Sequence, residues 1–452
     1  MTLGHSSWQP PPRPQTNSLR YGCLQTPLYN LSSNRFFRLM AVAIGVLVCL
    51  WTIRVAGTFA VSRLLVKYAL ATRSLEVAQK ANQLSPTDAQ GHFAEAALLS
   101  YVNRPAESAV ALQRAVALRP ADYSLWLQLG LLRDQLGETD TALAAFNEAV
   151  RLAPSYAQPR WLRGNFLLRA GQYNSAFKDL SEAASSNPEL LSGLIDLAWN
   201  LSKADTNLTE QWAQIKTDQR RVSFATFLAR HGKGKEAVTQ LQAVAAVPED
   251  VRRQLIKELM TNGAFEEAFE MWKVAQNDVA GNERLTPEIY DGGFEGPLTF
   301  DAVGFQWHVP RIVKGVTLSL DSSQPHSGSR NLRIDFLGDS NPGSELVSQV
   351  LLVEPSRRYQ INFASRSREV VTGGPPLVVV TDAKGDRKRL GQSAPLDEGI
   401  GTDNWRPYSF EFTSGATTRA VSVSLQRRNC PTSPCPIFGS ISLDSFSVAK
   451  LK

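Results

Sequence analysis

The sequence predicts a multidomain chain: one transmembrane helix, then an all-α array of stacked helix pairs, then an all-β sandwich. Three observations carry this prediction. An apolar run without charges covers residues 39–53, four prolines recur every 34 residues, and polar and apolar residues alternate with period two beyond about residue 285. The prolines are Pro86, Pro120, Pro154 and Pro188. Because each pattern occupies its own stretch, we expect three separate parts.

The N-terminal stretch reads as a tail followed by a membrane anchor. Residues 1–34 contain Pro, Ser, Asn and Gln with little periodicity, which predicts a disordered cytoplasmic tail. The uncharged run alone would span about 22 Å of a hydrocarbon core of roughly 30 Å, so the predicted transmembrane helix covers residues 35–61. Arg38 and Arg54 can extend towards the headgroups. A cleaved signal peptide is the alternative, but a long tail precedes the run and no small-x-small cleavage site follows it.

The positive charge of the chain is concentrated at its N-terminus. Residues 1–69 hold seven Lys and Arg and no acid, whereas the remainder holds 41 Lys and Arg against 42 acids. The formal net charge of +6 therefore reports the N-terminal segment. No basic stripe with interleaved aromatic residues follows, so we expect no nucleic-acid partner.

Topology is predicted from two cysteines near the C-terminus. The Lys and Arg on the two sides of the span barely decide its orientation by the positive-inside rule. Cys430 and Cys435 are close enough in sequence for a local disulfide, and disulfides persist in oxidising compartments. We therefore expect a single-pass protein with a cytoplasmic N-terminus and the bulk of the chain periplasmic or otherwise extracytoplasmic.

The residues between the prolines recur in register. The unit that ends at Pro154 carries the set Trp126, Leu129, Gly130, Gly137, Ala142, Phe146 and Ala149, and the next unit repeats it with Gly164, Gly171, Tyr173, Ala176, Leu180 and Ala183. Gly130 and Gly164 would let two helices approach closely, and Gly137 and Gly171 suit the turn between them.

This pattern resembles the tetratricopeptide-repeat (TPR) consensus, best over residues 87–188. The resemblance implies a helical solenoid of about six units over residues 62–284, long enough to bury a continuous core. It also implies a groove for a protein partner, lined by the first helix of each unit. The residues expected on that groove are Phe93, Leu127, Leu131, Gln158, Trp161, Asn165 and Leu168.

Residues 285–452 are predicted to form a β-sandwich. Leu332, Ile334 and Phe336 alternate with polar residues, and similar segments follow around Tyr359, Phe410 and Val423. The segments Gly292-Gly-Phe-Glu295, His326 to Leu332, Trp405 to Phe410 and Ile441 to Phe446 occur in an order that resembles a carbohydrate-binding-module jelly roll of the galactose-binding-like group.

That second resemblance implies ligands for the β-region. A structural calcium ion between Glu295 and Asp444 is one, since hard oxygen ligands would join the first and last strands. A glycan is the other, although the motif positions of Trp307 and Trp405 favour core packing over sugar stacking. Both residues at the calcium site could equally be ordinary surface carboxylates.

The expected function is a scaffold rather than an enzyme. The sequence contains neither H-E-x-x-H nor G-x-S-x-G, and Gly232-Lys-Gly-Lys235 lacks phosphate-loop spacing and fits a helix-hairpin turn. We expect a membrane-anchored scaffold for protein-protein interaction in the cell envelope, suited to surface polysaccharide synthesis or export. The alternative is a carbohydrate-binding protein in which the solenoid is a spacer.

Overall fold

A computed structural model describes residues 35–276, 288–338, 340–396, 403–430 and 434–452. The predicted N-terminal tail, residues 1–34, lies outside these residues, as does the predicted boundary near 284 and 285. The chain divides into two compact units, one that ends at Ala153 and one that begins at Pro154.

The first unit is all helical. Its helices are α1 (Arg35–Thr72), α2 (Leu75–Leu84), α3 (Ala89–Tyr101), α4 (Pro105–Leu118), α5 (Tyr123–Gln135) and α6 (Thr139–Leu152). The hairpins are α3 with α4 and α5 with α6, and the C-terminal part of α1 pairs with α2. Asp88 and Asp122 cap α3 and α5 by accepting backbone N–H bonds.

Helix α1 is longer than the predicted span. Its 38 residues extend about 57 Å and continue past residue 61 to Thr72. In this extension Ser62, Val66 and Ala69 are buried, and the Ser62 hydroxyl donates to the Ala81 carbonyl. The apolar segment therefore passes into the first helix pair without a break. Within the described residues, α1 is the one helix long and apolar enough to cross a membrane.

The proline period marks helix ends, as predicted. In the first unit, Pro86 and Pro120 each lie two residues beyond the last residue of a helix, as do Pro154 and Pro188 in the second. Proline disfavours helical conformation in the residue before it, so it punctuates the chain between pairs. The turn glycines Gly137 and Gly171 have φ values of +77° and +74°, in the region where glycine is unstrained.

Within the described residues, the second unit begins with eight helices. They are α7 (Ala157–Arg169), α8 (Tyr173–Ser186), α9 (Leu190–Leu201), α10 (Thr206–Ala213), α11 (Asp218–Arg230), α12 (Gly234–Gln242), α13 (Glu249–Thr261) and α14 (Phe265–Gln276). With the three pairs of the first unit, the described residues form seven pairs rather than six. The pair α9 with α10 lies in a stretch that matches the repeat consensus poorly.

Nine strands follow in the described part of the same unit. They are β1 (Val316–Asp321), β2 (Asn331–Gly338), β3 (Val347–Leu352), β4 (Arg358–Thr372), β5 (Pro376–Asp382), β6 (Arg389–Gln392), β7 (Arg406–Thr413), β8 (Ala420–Arg427) and β9 (Ile437–Lys450). They form a five-stranded sheet, β1-β2-β9-β4-β7, and a four-stranded sheet, β3-β8-β5-β6, with antiparallel pairing throughout.

One hydrophobic core lies between these two sheets. Leu332 and Ile334 of β2 are paired with Leu443 and Ile441 of β9, and all four side chains are buried. Inward-facing residues of β3, β5 and β8 complete the same core. The predicted alternation of buried and outward residues is therefore present. Whether the sandwich is a jelly roll of the carbohydrate-binding-module type stays a prediction.

Candidate functional site

Glycines bring the two helices of a repeat together. A Cβ atom on Gly130 would lie 3.0 Å from the Phe146 ring, and one on Gly164 would lie 2.7 Å from Leu180 Cγ. Phe146 and Leu180 are fully buried. Both positions therefore need glycine for close packing, as the sequence predicted.

The first unit holds three of the residues predicted to line a groove. Phe93 on α3 is half-buried and packs against the core of that unit, and Leu131 on α5 is also half-buried. Leu127 is only 2% exposed. The Leu127 side chain is therefore closed to solvent, and its expected place on a groove stays a prediction.

The second unit holds the other four, all on α7. Gln158 is exposed, whereas Trp161, Asn165 and Leu168 are half-buried. Their spacing of three and four residues places them on one helix face. The Asn165 amide donates to the Trp161 carbonyl at 2.8 Å, which is a bond within the helix. We name these four residues the α7 stripe.

The neighbouring helix α9 has a glycine beside the α7 stripe. Gly193 is exposed, and a Cβ atom on it would be 3.9 Å from the tip of the Trp161 ring, so this position adds no side chain there. Leu197, one turn further along α9, is half-buried. The sequence did not single out Gly193 and Leu197, because α9 matches the repeat consensus poorly; the signal was a glycine on an otherwise apolar helix.

An acidic residue fixes the orientation of α7. The Asp179 carboxylate on α8 accepts two bonds from Arg163, at 2.5 and 2.6 Å, and lies 3.6 Å from the Arg160 guanidinium. The Asp179 side chain is 5% exposed. Bidentate guanidinium–carboxylate pairs are directional, so this contact holds the opposite face of α7 against α8.

A buried guanidinium joins three helices further along. Arg220 on α11 donates to the Ser181 carbonyl and hydroxyl on α8 and to the Ala213 carbonyl at the end of α10. None of the contacts described for Arg220 is with a carboxylate, and burial lowers the pKa of its guanidinium. Carbonyl acceptors therefore satisfy this cation in the interior.

The last helix of the array packs on the β-region. The Trp272 ring lies 5.8 Å from Phe305 and edge-on to Tyr290 at 5.2 Å, and its indole N–H donates to Gln306. Val350 and Leu352, on the outer side of β3, pack against the same helical core. The β-region therefore packs on α14, the last described helix of the second unit.

Glu295 and Asp444 hold the same loop from two sides. Glu295 accepts the Ser329 hydroxyl and the backbone N–H groups of Ser329 and Arg330. These bonds lower the pKa of Glu295, the Ser329 hydroxyl most of all. Asp444, fully buried, accepts the N–H groups of His326 and Ser327.

These carboxylates are satisfied without an ion. Hydroxyl groups reach the remaining oxygen of Asp444, so each carboxylate oxygen already accepts a hydrogen bond. In the described parts of the chain, no group of three or more His, Cys, Asp or Glu could hold a metal ion. Hydrogen bonds from the loop at residues 326–330 satisfy both carboxylates, and calcium binding stays a prediction.

The two tryptophans considered for sugar stacking differ. Trp307 is 6% exposed and lies between Phe294 and Phe446 in the core. Trp405 is half-buried; the Arg366 guanidinium lies 5.1 Å above its ring and its N–H donates to the Gln324 carbonyl.

A disulfide joins Cys430 and Cys435, whose Cα atoms are 5.6 Å apart. Arg427, which is buried, donates to the carbonyls of Cys435 and Ser340 and to the Thr372 hydroxyl. Burial lowers the pKa of this guanidinium. The disulfide and Arg427 thus fasten three loops at one end of the sandwich.

A tetratricopeptide-repeat family model matches residues 93–157 and 127–190. Protein FlbA of Caulobacter vibrioides is 30% identical over 103 residues, which are 23% of this chain and 17% of FlbA. The chain thus matches about a sixth of that relative's length.

Solved structures show weaker likenesses. The MamA protein is 15% identical over 43% of this chain and 100% of its own, with a TM-score of 0.31. YrrB, described as a TPR protein with an unusual peptide-binding site, is 20% identical over 45% and 93%, with a TM-score of 0.24. A CBM4 structure is 15% identical over 36% and 99%, with a TM-score of 0.27. The family-model match, with the observed helix pairs, shows that residues 93–190 are tetratricopeptide repeats.

Proposed function

We propose that this chain is a membrane-anchored scaffold of the cell envelope that binds a protein partner through the α7 stripe. The observation that carries the proposal is the half-exposed Trp161 beside Gly193, on a helix that Asp179 fixes from the other side. The tetratricopeptide-repeat match over residues 93–157 and 127–190 supports a role in protein-protein interaction rather than in catalysis.

The chemistry of the α7 stripe suits an amphipathic segment. Trp161 and Leu168 offer apolar surface, while exposed Gln158 offers an amide at the border. Partly buried tryptophans are frequent anchors of interfaces because they supply a large area at low entropic cost. A partner with an apolar residue inserted over Gly193 and polar groups beside Gln158 fits this surface.

A photocrosslinking residue at position 158 tests this proposal in the native host. We expect one discrete crosslinked species from the full chain, lost when Trp161 is replaced by Ala. The matched control places the same residue at Lys178, exposed on α8. The same crosslinked species from both positions would contradict a specific interface. So would crosslinks at position 158 that Trp161→Ala does not change.

Membrane anchoring rests on α1. The window of highest hydropathy in α1 has a mean hydropathy of 2.2 and no buried residue, which suits a helix exposed to lipid. The full chain should stay in the membrane fraction after alkaline carbonate extraction. Alkylation of unreduced host protein should leave Cys430 and Cys435 unlabelled if the β-region is exported; labelling of both would contradict the orientation.

A second candidate function is glycan binding by the β-region. The observation in its favour is an exposed row in which Leu337 and Val371 are each paired in register with Phe438. An exposed aromatic ring among apolar side chains can stack on a sugar face. A glycan array with the full chain and with Phe438→Ala tests it. If no glycan binds in a way that depends on Phe438, the result favours the scaffold function. A role in surface polysaccharide synthesis or export belongs to the same proposal.

A further inference from the structure

Helix α1 keeps an exposed apolar face after it has joined the first helix pair. On one side of this stretch, Ser62, Val66 and Ala69 are buried against α2 and α3. On the opposite side, Leu64 and Tyr68 are 67% and 60% exposed. A helix surrounded by water usually presents polar side chains on its outer face, so packing within the helix pair does not explain this surface.

The exposed face continues a row of residues on the apolar segment of the same helix. Members of the row are three or four positions apart, which places them on one side of α1. We call this set the α1 row: Ile53, Gly57, Val61, Leu64 and Tyr68. Its four large side chains are 49% to 67% exposed. The surface that would face lipid in the apolar segment therefore runs without a break into the helix pair.

The charge around the α1 row is positive. Helices α1, α2 and α3 lie within residues 35–101, which hold seven Lys and Arg against three acids, none of them in α1. The side chains of Asp88 and Glu95 are only 1% and 15% exposed, and Glu76 is paired with a lysine of its own helix at 2.6 Å. Lys67, next to the row in sequence, is exposed. This balance attracts anionic headgroups.

The length of α1 exceeds the thickness of a bilayer. Its 38 residues extend about 57 Å, whereas a bilayer with its headgroups is about 40–45 Å thick. A helix that is too long for its bilayer tilts, and the direction of the tilt depends on neighbouring helices and on the side chains near the interface. In α1 the buried side is covered by α2 and α3, so the side that carries the α1 row is the one free to approach lipid.

We infer that the α1 row binds the headgroup layer of an anionic bilayer, with α1 tilted towards the row and α2 on the side away from the lipid. Leu64 and Tyr68 then leave water for the interface, where tyrosine is frequent, and the Lys67 ammonium group reaches lipid phosphates. Continuity with the apolar segment favours lipid over a protein or a second copy, because the same face enters the bilayer a few residues earlier. The inference rests on the proposed membrane anchoring of α1 and is independent of the α7 stripe.

The test places a nitrobenzoxadiazole fluorophore on single cysteines of the full chain in vesicles of phosphatidylcholine and phosphatidylglycerol. Cys23 and Cys49 are replaced by Ser, and the disulfide stays oxidised. The label is placed at Leu64 in the row, and at Val110 on α4 as a control of similar exposure. A nitroxide on the lipid headgroup should quench the label at position 64 and not at position 110. Aqueous iodide should quench the label at position 110 more strongly than at position 64.

The charge dependence is measured with the same label at position 64. Quenching by the headgroup nitroxide should fall in vesicles without phosphatidylglycerol and in Lys67→Gln. The control Lys80→Gln removes the same charge from α2 and should leave the quenching unchanged. Equal effects of the two substitutions, or no effect of the anionic lipid, would contradict an anionic bilayer as the partner.

A third label, at Val46 in the apolar segment, separates this inference from membrane anchoring. A nitroxide in the acyl chain should quench it if α1 spans the bilayer. Quenching at position 46 with equal headgroup quenching at positions 64 and 110 would overturn the α1 row alone. So would a label at position 64 that is shielded from iodide but not quenched by lipid, because a protein surface would then cover the row. No quenching at position 46 would overturn the anchoring and the inference together. Far-UV circular dichroism confirms folding of each labelled variant.

Discussion

A Cβ atom on Gly304 would lie 2.3 Å from Cδ1 of Trp272, so the last helix meets the β-region where only glycine leaves room. Gly304 also has a φ of +117°, which other residues rarely adopt. The end of the array and the sandwich are thus joined by a contact that tolerates little change.

Gly304→Ala should destabilise this contact by roughly 2–3 kcal/mol, since the methyl group overlaps the indole and the backbone is strained. The control is Gly385→Ala in the β5–β6 hairpin, where φ is +76° but nothing lies within 4 Å of the added Cβ. That control should cost only about 1 kcal/mol. Urea unfolding followed by tryptophan fluorescence compares the two; equal costs would mean that the overlap is relieved by movement.

Asp179→Asn should cost about 3 kcal/mol of unfolding free energy, because the guanidinium of Arg163 loses a buried charged acceptor. We expect the α7 stripe to lose its fixed orientation as well. Glu107→Gln, which breaks an exposed pair with Arg104, is the control and should leave the urea midpoint unchanged. A small effect of Asp179→Asn, equal to that of the control, would show that α7 is held by its apolar packing alone.

The stability that the hydrogen bonds of Glu295 contribute should depend on pH. Because hydrogen bonds lower its pKa in the folded chain, its stabilisation is complete above the ordinary value of 4.5 and is lost as the pH falls through the lower, folded value. Thermal unfolding from about pH 6 to about pH 3 should show a fall in stability that is smaller in Glu295→Gln.

Calcium at the same residues is tested by adding the ion or EDTA at constant pH. From the hydrogen bonds at Glu295 and Asp444, we expect the melting temperature to be unchanged. A rise with calcium that disappears in Glu295→Gln would instead establish the ion that the family resemblance implies.

Reduction of the disulfide between Cys430 and Cys435 should destabilise the sandwich by only about 2 kcal/mol, because the closed loop is short. Arg427 still fastens the neighbouring loops by hydrogen bonds in the reduced chain. Adding Arg427→Met to the reduced chain should therefore cost more than reduction itself. If Arg427→Met were harmless, the disulfide would be the principal fastening.

Local patterns in the sequence predicted the local structure well. The proline period located helix ends, and Gly130 and Gly164 were correctly placed against the second helix because small residues at fixed spacing mark close packing. The alternation of polar and apolar residues predicted strands β2 and β4. These features depend on neighbours within one repeat or one strand.

Contacts between distant segments could not be predicted in this way. Leu127 was assigned to a groove by analogy, although its burial depends on how neighbouring helices stack. The pairs Asp179 with Arg163 and Trp272 with Gln306 join segments whose approach no periodicity encodes. Gly193, beside the partly exposed Trp161, lies in a helix that matches the repeat consensus poorly.

The continuity of α1 has a mechanical consequence. From Phe37 to Thr72 the helix contains no proline. Its buried residues Ser62, Val66 and Ala69 pack within the first helix pair, so the apolar segment and that pair share one continuous helix. A tilt or axial rotation of that segment must therefore move the first helix pair with it. Because no flexible linker separates them, a force on the apolar segment is transmitted directly to the repeats.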